Sequence, residues 1–243
     1  MLTSFLWGFL AAATLIVGGA VALRWHVHER LLGMVMGFGS GVLISAVSFE
    51  LVEEAFNEAR WGGSVATGLC VGALTFYAGD ALIDRMGGAD RKRSGGGQAD
   101  GSALAIVLGI VLDGIPESIV LGLTIVDGGS VSVAFLCAVA LSNVPEALSA
   151  SSGLAQSGWA SRRILGLWTL VSLVSGLASL AGFALFDTAS AGVTAFVLSF
   201  AAGAILTMLA DTMMPEAFAH GGKLVGLVTT LGFGVAFALS ALE

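Results

Sequence analysis

Eight apolar stretches, at roughly 2–23, 31–56, 62–84, 103–126, 130–154, 163–186, 190–219 and 221–242, follow one another with short linkers between most of them. About 20 apolar residues is one crossing of a bilayer core, and in lipid a chain must satisfy its backbone polar groups internally. The expected fold is therefore an all-α polytopic membrane protein of eight transmembrane helices, a single transmembrane domain over residues 1–243. With 56% hydrophobic residues, 11% charged and a mean hydropathy of +0.95, a soluble fold is excluded on composition. A net charge of −7 with no basic face argues against nucleic acid as a partner and leaves the lipid bilayer. Cys70 and Cys137 stand alone in apolar segments and read as small buried side chains. The stretch from Leu2 to Leu23 lacks the basic start of a signal peptide and is expected to be retained as a span.

Residues 85–102, rich in Gly, Ser and charge, read as a flexible solvated loop after the third span. Nine of the ten Lys and Arg residues fall in the odd-numbered loops: Arg24, Arg30, Arg85, Arg91, Lys92, Arg93, Arg162, Arg163 and Lys223. Basic residues favour the cytoplasmic side, so both termini are expected outside, in a multi-pass protein of the cell (inner) membrane. Moving the second span forward by 162 positions lays Phe38, Gly41, Ser45, Glu54, Ala55 and Phe56 on Phe200, Gly203, Thr207, Glu216, Ala217 and Phe218. This echo predicts an inverted repeat, helices 1–3 and 6–8 around the central pair 4–5, as secondary transporters use around a midplane site.

Two phrases carry the polar chemistry. Asp113-Gly-Ile-Pro-Glu-Ser118 and Ser142-Asn-Val-Pro-Glu-Ala147 are related by a shift of 29, which superposes Pro116 on Pro145, Glu117 on Glu146 and Asp113 on Ser142. Each proline costs a helical hydrogen bond near mid-span, at Leu112 and Leu141, so each phrase is expected to interrupt its helix beside a carboxylate. The chain's third proline, Pro215, also precedes a glutamate, Glu216, although only 9 of 243 residues are Glu. Asp113 and Glu117 share one helix face, and Asn143 and Glu146 another. A charge at the bilayer centre costs on the order of 3 kcal/mol, and no Lys or Arg lies deep in a span to offset it. Protons or metal cations remain as counter-charges. With Glu50, Glu53 and Glu54 toward the outside and Asp80, Asp84, Asp211 and Glu216 toward the inside, the acids trace a path that suits a cation. The competing reading of Glu117 and Glu146 is as protonated hydrogen-bonders that hold interrupted helices together.

These residues carry a resemblance to a known family. The chain resembles, over essentially its whole length, the ZIP (Zrt/Irt-like) divalent-metal transporters, with their tandem Pro-Glu phrases in spans 4 and 5 and the Asp211-Thr-Met-Met-Pro-Glu-Ala-Phe218 phrase in span 7. The resemblance implies a 3+2+3 transport domain, no enzymatic activity, no resident cofactor, and a zinc, manganese, iron or similar cation as substrate, moved into the cytoplasm. It implies metal ligands at Glu117 and Glu146, with Asp113, Asn143, Ser142, Glu50 and Asp211 standing at further ligand positions, and it allows a homodimer. The usual histidine ligands are absent: Asp113 and Gly114 stand where the family has His-Asn, and His26, His28 and His220 fall in or beside loops and read as surface residues, the lesser alternative being that His26 and His28 handle departing metal. An oxygen-rich shell favours Mn, Mg or Ca more than a nitrogen-bearing one, although Zn also accepts carboxylate. An intramembrane hydrolase of the aspartyl-protease kind is the alternative. Its phrase, Phe76-Tyr-Ala-Gly-Asp80, fails at the first glycine, where Tyr77 stands, and neither a Gly-x-Ser-Gly nor a His-Glu-x-x-His phrase occurs.

Overall fold

The computed structural model describes residues 1–25, 27–59, 63–89, 103–128 and 131–242. His26, Arg60 and most of the predicted basic loop, residues 90–102, lie outside the described residues. Among those described, all regular structure is helical: α1 (Leu2–Arg24), α2 (Glu29–Ala59), α3 (Ser64–Gly88), α4 (Ala103–Gly128), α5 (Val133–Gln156), α6 (Ser161–Phe186), α7 (Ala191–Gly221) and α8 (Leu224–Ser240). The first seven are long and apolar enough to cross a membrane, while α8 has 17 residues.

The helices sort into an inner and an outer set. Within their most apolar windows, 61–67% of α2, α4, α5 and α7 is buried, against 22–44% of α1, α3 and α6. The predicted acidic residues of spans 2, 4, 5 and 7 thus lie on the four most enclosed helices. The outer set turns Leu6, Leu10, Leu74, Leu82, Leu177 and similar residues outward, the surface that lipid accepts. Cys70 belongs to that surface: it is exposed, and Cys137 is partly so, which corrects the expectation that both are buried. α3 offers only a narrow buried stripe, Gly68, Gly72, Phe76 and Ile83, so a residue off that stripe meets the surroundings.

Close helix packing runs through glycine. A Cβ at Gly41 of α2 would collide with the Thr229 carbonyl of α8, and one at Gly232 of α8 with the Phe38 carbonyl of α2. The same pair of contacts recurs between α7 and α3, where Gly203 meets the Leu69 carbonyl and Gly72 the Phe200 carbonyl. Phe38 and Gly41 are the residues that a shift of 162 lays on Phe200 and Gly203. Backbones this close gain dispersion contacts that lipid-facing side chains cannot supply.

The helical interruptions are not where proline placed them. Both α4 and α5 continue as α-helix through Pro116 and Pro145. Serine hydroxyls serve backbone carbonyls beside each: Ser118 Oγ donates to Gly114 O at 2.6 Å and Ser142 Oγ to Val139 O at 3.0 Å. One missing donor is tolerated in a helix whose neighbours supply polar groups. Instead, α2 and α7 each contain a π-helical turn, Val47–Glu53 and Leu209–Met213, beginning at positions again 162 apart. Such turns insert a residue and redirect the side chains after it.

Candidate metal path

α5 is the axis of the candidate site. Most of its length is buried, with α1 and α2 packed against it and α7 reaching it at Ser149 through Glu216. Gly18 of α1 lies against the Val144 carbonyl, and Gly39 of α2 against Ser142, Pro145 and the Met213 methyl of α7. Small residues at these points let three helices reach the second Pro-Glu phrase.

Asp113 and Glu117 are 3% and 4% exposed, and Asn143 is 6% exposed. Glu117 and Asn143 line one cavity of about 10 Å3, closed by Gly8, Ala11 and Ala12 of α1 and by Ser175 of α6. That is about the room one water molecule or ion needs. Asn143 Nδ2 donates to the Ala11 carbonyl at 3.1 Å, so its nitrogen is engaged and the amide oxygen is the atom of ligand type. Thr124 Oγ1 accepts from the Ser132 amide at 3.4 Å, which sets α4 and α5 running in opposite directions. Asp113 lies about one turn from Glu117 along α4, and Glu146 about one turn from Asn143 along α5, roughly 4.5–6 Å of rise in each helix. Ser142 is 1% exposed and turns toward α2 with its hydroxyl on Val139 O. Glu146, four residues on, shares that face and is partly buried.

Two predicted ligands lie elsewhere. The Glu50 carboxylate accepts from Ser132 Oγ at 3.0 Å and from Ser240 Oγ at 2.5 Å. Ser132 caps the start of α5, 14 residues from Glu146, roughly 21 Å along the helix. The structure therefore does not bring Glu50 to Glu146: Glu50 sits in the π-helical turn of α2, level with the start of α5. There it borders a cavity of about 160 Å3 with Glu54 and Thr124, and Glu53 and Glu54 line a neighbouring one of about 400 Å3. Asp211 is exposed, on the outward strip of α7 with Ala210 and Met214, while Met208, Leu209, Met213 and Ala217 form that helix's buried face. It does not join the buried acids. Among the described residues, no three His, Cys, Asp or Glu side chains already converge as a metal cage.

At the opposite end, Glu216 Oε1 lies 3.4 Å from Ser149 Oγ of α5 and 3.1 Å from His220 Nε2, and His220 Nδ1 lies 3.6 Å from Glu29 of α2. Reading His220 as a loop residue missed this group. Its signal was legible in the Glu-x-x-x-His spacing at the end of α7. His28 has a structural task, accepting at Nδ1 from the Arg30 amide at the start of α2.

A relative in Arabidopsis thaliana, named "Putative zinc transporter", is 29% identical over 239 residues, 96% of this chain. The chain is similar to a metal-transport protein. It spans 37% of that relative's length. No protein-family model matches. The similarity agrees with the resemblance to ZIP transporters, and the apolar helices agree with a multi-pass membrane protein.

Proposed function

We propose that this chain carries a divalent cation, zinc or a similar metal, across a membrane through the carboxylates of α4 and α5, and that it is a transporter and not an enzyme. The observation that carries the reading is the burial of Glu117 and Asn143 at one cavity between mid-helix segments, with Asp113 buried one turn away on α4. Buried carboxylates need a positive partner, and a passing cation supplies one. Glu117 and Glu146 are the principal ligands, with Asp113 and the Asn143 oxygen beside them. Glu50, Glu53 and Glu54, bordering open cavities at the other end of α2, collect cations from the outside. The zinc in the relative's name motivates zinc as a substrate of this chain.

The arrangement we infer is three helices, two, then three, with α1–α3 and α6–α8 as inverted repeats. Its support is the recurrence of the glycine contacts of α2 and α8 in α7 and α3, and of the π-helical turns at the same offset. Both termini lie outside in this reading, and transport runs toward the basic loops. Cation uptake into proteoliposomes, run for Zn, Mn, Fe, Mg and Ca, tests the function. No uptake of any of them above protein-free vesicles would refute it.

A further inference from the structure

We infer that Glu50 is the latch of an outer gate: its carboxylate, held by one hydroxyl from α5 and one from α8, keeps the start of α5 closed over an apolar plug, Leu121 and Phe135, that separates the outer acids from Glu117. The gate's service to a cation rests on the reading above. The latch and the plug can be tested without transport.

The plug follows from helical spacing. Glu117, Leu121 and Thr124 are four and then three residues apart on α4, hence on one face, and Phe135, Val139 and Asn143 stand at intervals of four on α5. Glu117, Val139 and Asn143 line the small inner cavity, while Thr124 lines the cavity of about 160 Å3 beside Glu50. Leu121 and Phe135 therefore lie between the two cavities, and both are fully buried. From Thr124 to Glu117 is about two helix turns, roughly 10 Å. An apolar layer across that distance stops a hydrated ion, as hydrophobic constrictions do in channels.

The latch holds the plug. Ser132 Oγ donates to Glu50 Oε2 at 3.0 Å and accepts from the Phe135 amide at 3.1 Å, so the hydroxyl that Glu50 orients is the one that caps the turn carrying Phe135. Ser240 Oγ, at the end of α8, donates to Oε1 at 2.5 Å, a length usual for a hydroxyl on a carboxylate. Phe49, beside Glu50 in the π-helical turn, packs on Phe237 and Phe233 with ring centroids 5.0 and 6.0 Å away, so α8 is fastened to α2 without Ser240. A tie between helix ends needs no charge. A carboxylate is the group that a divalent cation also seeks, and the two oxygens that would receive it are the two that hold α5 and α8. Ser240 also lines the outermost cavity with Glu53 and Glu54, where a cation arrives. A cation that takes Glu50 displaces both hydroxyls, and the start of α5, with Phe135, can then move.

The test reads access to Ser118, which lines the inner cavity and which cysteine replaces with little change of shape. With Cys70 and Cys137 replaced by Ala, S118C is treated with an impermeant cationic methanethiosulfonate on each membrane face in turn, in intact cells and in inverted vesicles. Modification should be slow in this parent. Adding E50A or S240A should speed it about tenfold or more, as loss of a bond to a charged group implies, from the face that carries Glu50 and from that face alone. E53A removes the same charge from the neighbouring cavity and should leave the rate unchanged. S240A, which keeps the Glu50 charge but removes a competing donor, should lower the KM for cation uptake roughly threefold, whereas general loosening would not. An unchanged labelling rate in E50A or S240A, equal acceleration from both faces, the same acceleration in E53A, or a KM that does not fall would each overturn the latch. Absence of uptake by the wild type would refute the transport reading, while the latch is still judged by the thiol rates.

Discussion

Asn143 on α5 donates its amide nitrogen to the Ala11 carbonyl on α1, across 3.1 Å, at the edge of the cavity that also holds Glu117. The bond joins the central helix to a peripheral one and fixes which end of the amide can meet a cation. Asn143→Asp replaces the donor by an acceptor facing a carbonyl, whereas Asn143→Ala removes the oxygen as well. Leaving a buried group unsatisfied costs about 1–3 kcal/mol, so both variants should melt below wild type in detergent. A melting temperature unchanged in both would show that the bond contributes nothing.

Glu117 and Glu146 are expected to be indispensable to flux. Glu117→Gln and Glu146→Gln keep side-chain size, so protein should reach the membrane in normal amount while uptake falls more than twentyfold, since binding of a divalent ion depends on ligand charge. Uptake near the wild-type rate in either variant would remove that residue from the path.

Asp113 occupies the place where the resembling family has histidine. Asp113→His introduces a nitrogen ligand one turn from Glu117 on α4, and imidazole favours Zn over Mn. The ratio of Zn to Mn uptake should rise severalfold at comparable expression. A constant ratio would mean that Asp113 does not touch the ion.

The topology makes a separate prediction. With Cys70 and Cys137 first replaced by Ala, a cysteine at Ser157, in the turn between α5 and α6, should be shielded from an impermeant thiol reagent applied to intact cells. One at Ala189, between α6 and α7, should label. The opposite pattern would invert the membrane orientation.

Gly41 and Gly203 hold corresponding places against Thr229 and Leu69. Gly41→Val and Gly203→Val each force apart a pair of helices in backbone contact, an overpacking that costs about 1–3 kcal/mol or more. Thermal stability in detergent should drop in both, by similar amounts if the two halves are repeats. A large loss at one position and none at the other would argue against the repeat.

The apolar stretches and the lack of deep basic residues were enough to read a helical membrane protein from the chain, because in lipid the backbone has few other options. The spans 31–56 and 190–219 correspond to helices Glu29–Ala59 and Ala191–Gly221, with ends displaced by a few residues. Asp113, Glu117 and Asn143 were legible as candidates because a buried polar residue in an apolar run stands out against its neighbours. The facing of long helices was not legible. Glu50 and Asp211 stand at ligand positions by the family resemblance, and both fall in π-helical turns, Val47–Glu53 and Leu209–Met213, that a reading of regular α-helix does not anticipate. Proline marked an expected break, yet the helices continue through Pro116 and Pro145. The group of Glu216, His220 and Glu29 joins residues far apart in the chain, and only the approach of α2 to α7 at Gly33 brings them within reach. Local sequence sets which segments must be helical; which faces meet is settled by packing among all eight helices, through contacts that no single segment contains.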